Sequence, residues 1–283
     1  MESARKQVAR RKPLADILIC AQLLIFFGCN GAQYLFSSDK ELISTPADTG
    51  LDFVETWFKT ADNIRLHGWQ VPGRPDMPLV VIFHGNAANI SRFINVLRFF
   101  HQTGFSTFIF DYRGFGLSSG RVVREEDLYN DGRGAIDHLA AAGWHPSSMI
   151  YFGHSMGAAV SLQMSLEKQP AALVLESPFT SMSDIAWHRA PVAWALLGLW
   201  ALDFQFDNLD KIQNVTAPLV IFTGAKDEVV PMEMSQQLFD KAVAPSALFI
   251  IAKGGHKDLF KAGGEVYQKA LLDIVESGKP VSK

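Results

Sequence analysis

Ser155 stands in the run Gly153-His154-Ser155-Met156-Gly157, which fits the G-x-S-x-G pattern of a nucleophile set on a tight strand-to-helix turn. Residues 149–152 form a short apolar run suited to a buried strand. From Ala158 onward apolar residues recur at helical spacing, so the pentapeptide has the flanks that such a turn requires. Gly153 and Gly157 suit it because a strained backbone at the serine leaves no room for β-carbons on the neighbours that face it. A serine hydroxyl is a poor nucleophile at its free pKa and needs a histidine base held by a carboxylate. Candidates lie downstream, each just past an apolar run that reads as a strand. Asp227 follows residues 219–222 and comes 72 residues after the serine; His256 follows residues 247–251 and comes 29 further on. Glu228, Asp203, Asp207 and Asp210 are the other carboxylates that could orient the base. The backbone N–H of Met156, at the start of a helix, is suited to receive an oxyanion with help from the helix dipole.

A second G-x-S-x-G match, Gly116-Leu117-Ser118-Ser119-Gly120, lacks this context, because no good helix starts after Gly120. It reads as a structural turn. His84 reads as a buried, hydrogen-bonded residue supporting its loop. His67, His101, His138, His145 and His188 show no ligand spacing with cysteines or clustered carboxylates, so neither a metal nor another cofactor is expected.

The elements that must position these residues follow a regular order. Residues 53–60 and 64–71 read as a hairpin with alternating faces, and residues 79–83 as a strand buried on both sides. Helix 90–101, strand 106–110, helix 125–142, the strand before Ser155, its helix, and strand 171–175 then alternate, which predicts a mostly parallel sheet flanked by helices. The rhythm breaks over about residues 180–210, where Trp187, Trp194, Trp200, Leu196, Leu197, Leu199 and Phe204 make an insertion too apolar for a solvent loop. It resumes with strand 219–222, helix 232–243, strand 247–251 and helix 265–275. The insertion reads as a lid over an acyl-chain pocket, with a packed structural excursion as the alternative.

At 283 residues and 48% apolar composition, the chain can bury a substantial single core after about residue 50. Its net charge of -3, with both signs interspersed, gives no footprint for nucleic acid. The N-terminus differs. Arg5, Lys6, Arg10, Arg11 and Lys12 precede an apolar run over residues 17–28, which marks residues 1–36 as a signal or membrane anchor, with residues 37–50 as a linker. That run is short for a span of about 20 residues and suits a signal peptide. Both cysteines, Cys20 and Cys29, lie there, so no disulfide framework supports the body. The Gly28-Cys29 junction resembles a bacterial lipoprotein signal with Cys29 as the lipidation candidate; an uncleaved anchor is the alternative. Either reading places the body at a membrane, as an envelope lipoprotein or an N-terminally anchored protein.

Six motifs together resemble the α/β-hydrolase family, in its small branch of lysophospholipase-like and acyl-protein-thioesterase-like serine hydrolases. They are HGNAAN at residues 84–89, DYRGFGLSSG at 111–120, GHSMG at 153–157, SPFTSM at 177–182, GAKDEVVP at 224–231 and GGHKDLF at 254–260. The resemblance implies an α/β-hydrolase fold over residues 51–283 with a short apolar cap at about 180–210. It implies Ser155 as nucleophile, His256 as base, Asp227 as the orienting acid, and an oxyanion hole built from Met156 and Asn86. The implied activity is hydrolysis of carboxylic esters or thioesters of lipid-like or other acyl substrates through an acyl-enzyme. Serine peptidase action on short peptides is the alternative.

Overall fold

Eight strands form one sheet in the computed structural model, which describes residues 36, 38–86, 89–189 and 203–277. Their spatial order is β1-β2-β4-β3-β5-β6-β7-β8. The hairpin β1 (Val54–Lys59) and β2 (Arg65–Val71) joins antiparallel to β4 (Ser106–Phe110). From β4 through β3 (Leu79–Phe83), β5 (Met149–His154), β6 (Ala172–Glu176), β7 (Leu219–Gly224) and β8 (Ser246–Ile251) all pairs are parallel.

The central strands are buried on both faces, and alternate side chains feed two separate cores. In β3, Leu79, Val81 and Phe83 enter one core, whereas Val80 and Ile82 enter the other. On the first face lie α2 (Glu125–Ala141), α3 (Met156–Glu167) and α5 (Met232–Lys241), contributing Leu128, Val160 and Leu238 among others. On the second lie α1 (Ile94–Gln102) and α6 (Leu259–Ser277), contributing Leu97, Phe100, Tyr267 and Leu271. Met182–Arg189 forms α4, which belongs to the insertion, and a single further helical turn spans Asn208–Lys211.

The elements match the sequence-based expectations with shifted ends. The helix expected to begin at residue 90 opens with a tight 3-10 turn, Ile90–Phe93, whose Ser91 N–H is accepted by the Asn89 side chain at 3.0 Å. The closing helix starts earlier, at Leu259, and is kinked at Gly264, whose φ of 51° lies in the left-handed region. Residues 38–50, expected as a polar linker, are pinned to the body: Asn89 Nδ2 donates to the carbonyls of Asp39 and Glu41 at 3.1 and 2.7 Å.

The base of the insertion is stapled closed. Met182 N–H donates to Gln205 O at 2.9 Å, Asn208 N–H to Thr180 O at 2.9 Å, and Asn208 Nδ2 to Phe179 O at 2.9 Å. Phe204 and Phe206 are buried there, whereas Trp187 on α4 is 58% exposed. Trp194, Leu196, Leu197, Leu199 and Trp200 lie outside the described residues, as does Cys29 with the rest of the N-terminal run. Among the described residues no helix is long and apolar enough to cross a membrane.

Candidate active site

The parallel strands end on one edge of the sheet, and every side chain expected to do chemistry follows one of these ends. Gly85 and Asn86 follow β3, Ser155 follows β5, Asp227 follows β7 and His256 follows β8. The chain leaves β3 toward β4 on one side and later returns to β5 on the other, so the crevice outside β3 and β5 is a topological switch point, where ligands bind in open α/β sheets.

The turn at Ser155 is strained and tightly packed. Its backbone has φ 53° and ψ -117°, outside the regions an ordinary side chain prefers, at a cost of about 1–3 kcal/mol. A β-carbon on Gly157 would lie 1.9 Å from the carbonyl oxygen of Phe83, and one on Gly153 would lie 2.2 Å from Ser161 Oγ. Glycine at both positions is what lets α3 press against β3 and β5 immediately after the serine.

The three predicted residues meet. With the proton on Nδ1, His256 donates to Asp227 Oδ2 at 2.9 Å, and its Nε2 accepts the Ser155 hydroxyl at 3.1 Å. The other oxygen of Asp227 accepts the N–H groups of Val229 and Val230 at 2.8 and 2.9 Å. Burial pushes the Asp227 carboxyl up, but the hydrogen bonds from His256 and from these two N–H groups outweigh it and hold it below the ordinary carboxylate range. Glu228 is exposed, and Asp210 pairs with Lys241 at 2.8 Å, so neither competes for the base. Met156 is the first residue of α3, where an N–H has no intrahelical acceptor, and it lines the cleft together with Asn86.

Ser118 is buried; its hydroxyl donates to Asp111 O at 2.7 Å and accepts His67 N–H at 2.9 Å, which makes it a loop staple. His84 is fully buried and donates from Nδ1 to Gly85 O at 2.8 Å, and burial lowers its pKa, so a neutral ring supports the loop after β3. Among the described residues no group of three histidine, cysteine or acidic side chains is arranged to hold a metal ion.

Two polar groups beside the triad were not singled out from the sequence. His154 and Glu176 are register partners at the ends of β5 and β6, with Nδ1 and Oε1 3.1 Å apart. The contact is close but not aligned for a hydrogen bond. The His154 ring lies 5.1 Å from that of His256, and Glu176 Oε2 accepts the Tyr267 hydroxyl at 2.7 Å. The available signal was a lone acid closing the apolar run Ala-Leu-Val-Leu-Glu beside the elbow strand. The triad opens into a cleft of about 720 Å³ whose walls include Phe93, Phe179, Met182, Ile185, Val229 and Val230.

Comparison with known proteins gives consistent relatives. The family described as serine aminopeptidase, S33, matches residues 75–210. The alpha/beta hydrolase domain-containing protein WAV2 of Arabidopsis thaliana is 31% identical over 255 residues, 83% of this chain and 82% of that protein. The protein YfhR of Salmonella typhi is 30% identical over 297 residues, covering 98% of each chain. Among solved structures, an esterase of Pyrococcus furiosus superposes with a TM-score of 0.69 at 20% identity, covering 85% of this chain and 97% of that one. An acetyl xylan esterase from Paenibacillus superposes with a TM-score of 0.63 at 17% identity, covering 80% and 87%. These last two likenesses are of fold.

Proposed function

The chain belongs to the α/β-hydrolase family, and on that premise we propose that it is a serine hydrolase cleaving carboxylic esters or thioesters through an acyl-enzyme on Ser155. The observation that carries this reading is the unbroken chain of contacts from Ser155 Oγ through His256 to Asp227 at the mouth of an apolar-walled cleft.

In the first half-reaction His256 Nε2 takes the Ser155 proton as Oγ bonds to the acyl carbon. The carbonyl oxygen becomes an oxyanion, received by the Met156 N–H and the Asn86 region. Collapse breaks the bond to the alcohol or thiol leaving group, which takes the proton from His256. Water, deprotonated by His256, then attacks the acyl-enzyme, releasing the carboxylic acid and restoring Ser155. Asp227 holds the His256 tautomer and stabilises the imidazolium in both halves.

The test is reaction of the full-length protein with a fluorophosphonate probe, followed by a chain-length series of p-nitrophenyl esters and acyl thioesters. Absence of labelling in folded protein, or labelling that persists in Ser155→Ala, sinks the reading. The serine aminopeptidase description of the matching family favours a second reading, cleavage of short peptides. An aminopeptidase needs an available carboxylate for the substrate ammonium. Of the two acids lining the cleft, Glu176 is buried and already accepts from Tyr267, and Asp258 pairs with Lys261 at 3.3 Å, which weighs toward esters. Turnover of aminoacyl anilides without turnover of any p-nitrophenyl ester reverses that preference.

Location at a membrane, through a lipidated Cys29 or an uncleaved anchor, is proposed from the N-terminal sequence alone. Intact-mass analysis of membrane-extracted protein separates the two. A full-length, unmodified chain recovered only in the soluble fraction contradicts both.

A further inference from the structure

Around the mouth of the cleft exposed cations outnumber exposed acids. Arg92, on the turn Ile90–Phe93, Arg189, the last residue of α4, and Lys257, next to His256, all line the cleft and are exposed. None of the three makes an ion pair or side-chain hydrogen bond among the described residues. Residues 190–202, which continue from Arg189, contain no acidic residue that could neutralise it. Of the acids lining the same cleft, Glu176 is buried against Tyr267, and Asp258 is offset by Lys261 at 3.3 Å. A chain of net charge -3 therefore presents, at the rim of its candidate site, three cations with no ion-pair partner among the described residues.

Behind this rim the wall is apolar, formed by Phe179, Ile185 and Val230 among others. An apolar wall with a cationic rim complements an amphiphile with one acyl chain and an anion on its leaving group. Two of the three cations are arginines, whose planar fork matches the oxygens of a phosphate or carboxylate. Lys257 lines the same cleft as His256, the residue that protonates the leaving group in the reading above. A focused positive field at a cleft mouth also raises the local concentration of anionic substrate.

We infer that the substrate is an acyl ester or thioester whose leaving group carries a phosphate or carboxylate anion, with Arg92, Arg189 and Lys257 selecting it. The inference rests on the serine-hydrolase reading of Ser155 and deepens it. It leaves the chemical step as written above, with the anion departing on the released alcohol or thiol.

The experiment compares matched pairs on the full-length protein, with acyl chains of eight carbons to keep substrates monomeric. One pair is octanoylglycerol against octanoylglycerol 3-phosphate; the other is octanoyl-N-acetylcysteamine against octanoyl-coenzyme A. The anionic member is expected to show kcat/KM about tenfold higher, the effect of one charge-assisted contact. The preference should shrink with added salt and fall toward one in a triple Arg92→Gln, Arg189→Gln, Lys257→Gln variant. The pair in which it is larger separates a lipid head group from a soluble phosphate carrier. Equal rates within both pairs, or a preference that survives in the folded triple variant, overturns the inference.

A binding arm is independent of turnover: the octyl ether of glycerol 3-phosphate against the neutral octyl glycerol ether, titrated into Ser155→Ala protein. Tighter binding of the phosphate ether that weakens in the triple variant supports the anion site even if no ester is hydrolysed, in which case the hydrolase reading alone fails. Equal binding of the two ethers counts against the anion site whatever the enzyme's turnover.

Discussion

The phenol of Tyr267 donates a 2.7 Å hydrogen bond to Oε2 of Glu176, whose own backbone carbonyl accepts the N–H of Ser155 at 2.9 Å. The last helix is thereby tied, through one buried acid, to the strained turn at Ser155. Tyr267→Phe keeps the ring stacked 3.8 Å from Phe222 but removes the donor. A buried carboxylate short of a partner costs about 1–3 kcal/mol, so the chemical-denaturation midpoint should fall accordingly. An unchanged midpoint would show that Glu176 draws its donor from elsewhere.

The two G-x-S-x-G serines should separate cleanly. Ser155→Ala is expected to abolish fluorophosphonate labelling and to lower turnover by about 10³-fold or more. Ser118→Ala should retain labelling and instead lose about 1–3 kcal/mol of stability, because Asp111 O and His67 N–H lose their shared partner. Loss of labelling in a folded Ser118→Ala protein contradicts the assignment.

Asp227 is expected to act through the tautomer of His256. Asp227→Asn should lower kcat by about 10⁴-fold while leaving the fold intact, as measured by turnover beside circular dichroism. The position of this carboxyl below its ordinary range also sets the pH behaviour. A depressed folded value means that the stability it contributes is fully present above the ordinary carboxylate range. That stability is lost as pH falls through the depressed value. Across the mildly acidic range the Asp227 carboxylate therefore stays ionised, so its protonation should contribute no step to log kcat/KM there. A step in that range that disappears in Asp227→Asn argues that the carboxyl titrates there after all.

Gly157 should tolerate no side chain. A β-carbon there would sit 1.9 Å from a backbone oxygen, which cannot rotate away as a side chain could. Gly157→Ala is expected to cost about 1–3 kcal/mol or more by overpacking and to displace Ser155. Both the thermal midpoint and probe labelling should fall together. Retained labelling at full rate would mean that α3 can shift off β3 without moving the nucleophile.

Much of this protein is legible in its sequence, because the signals concerned are local. Period-two alternation marks the β1–β2 hairpin, unbroken apolar runs mark the parallel strands and helical spacing marks α1, α2, α3, α5 and α6, and the alternation of strand and helix implies the parallel sheet. Ser155, Asp227 and His256 are recognisable because each type follows a strand end, and in a parallel sheet those ends share one edge. What the sequence could not decide are contacts without a period. The placing of His256 Nε2 within 3.1 Å of a serine 101 residues away depends on the crossovers that order β5 to β8. The pairing of His154 with Glu176 depends on the register of two strands, and the docking of residues 38–50 on contacts with Asn89, Ser91, Gly116 and Ser118. The cationic rim joins Arg92, Arg189 and Lys257 from three separate elements, so only the folded chain makes it one surface. Apolar burial is additive along a segment and can be read from it; polar geometry is set by where distant segments meet.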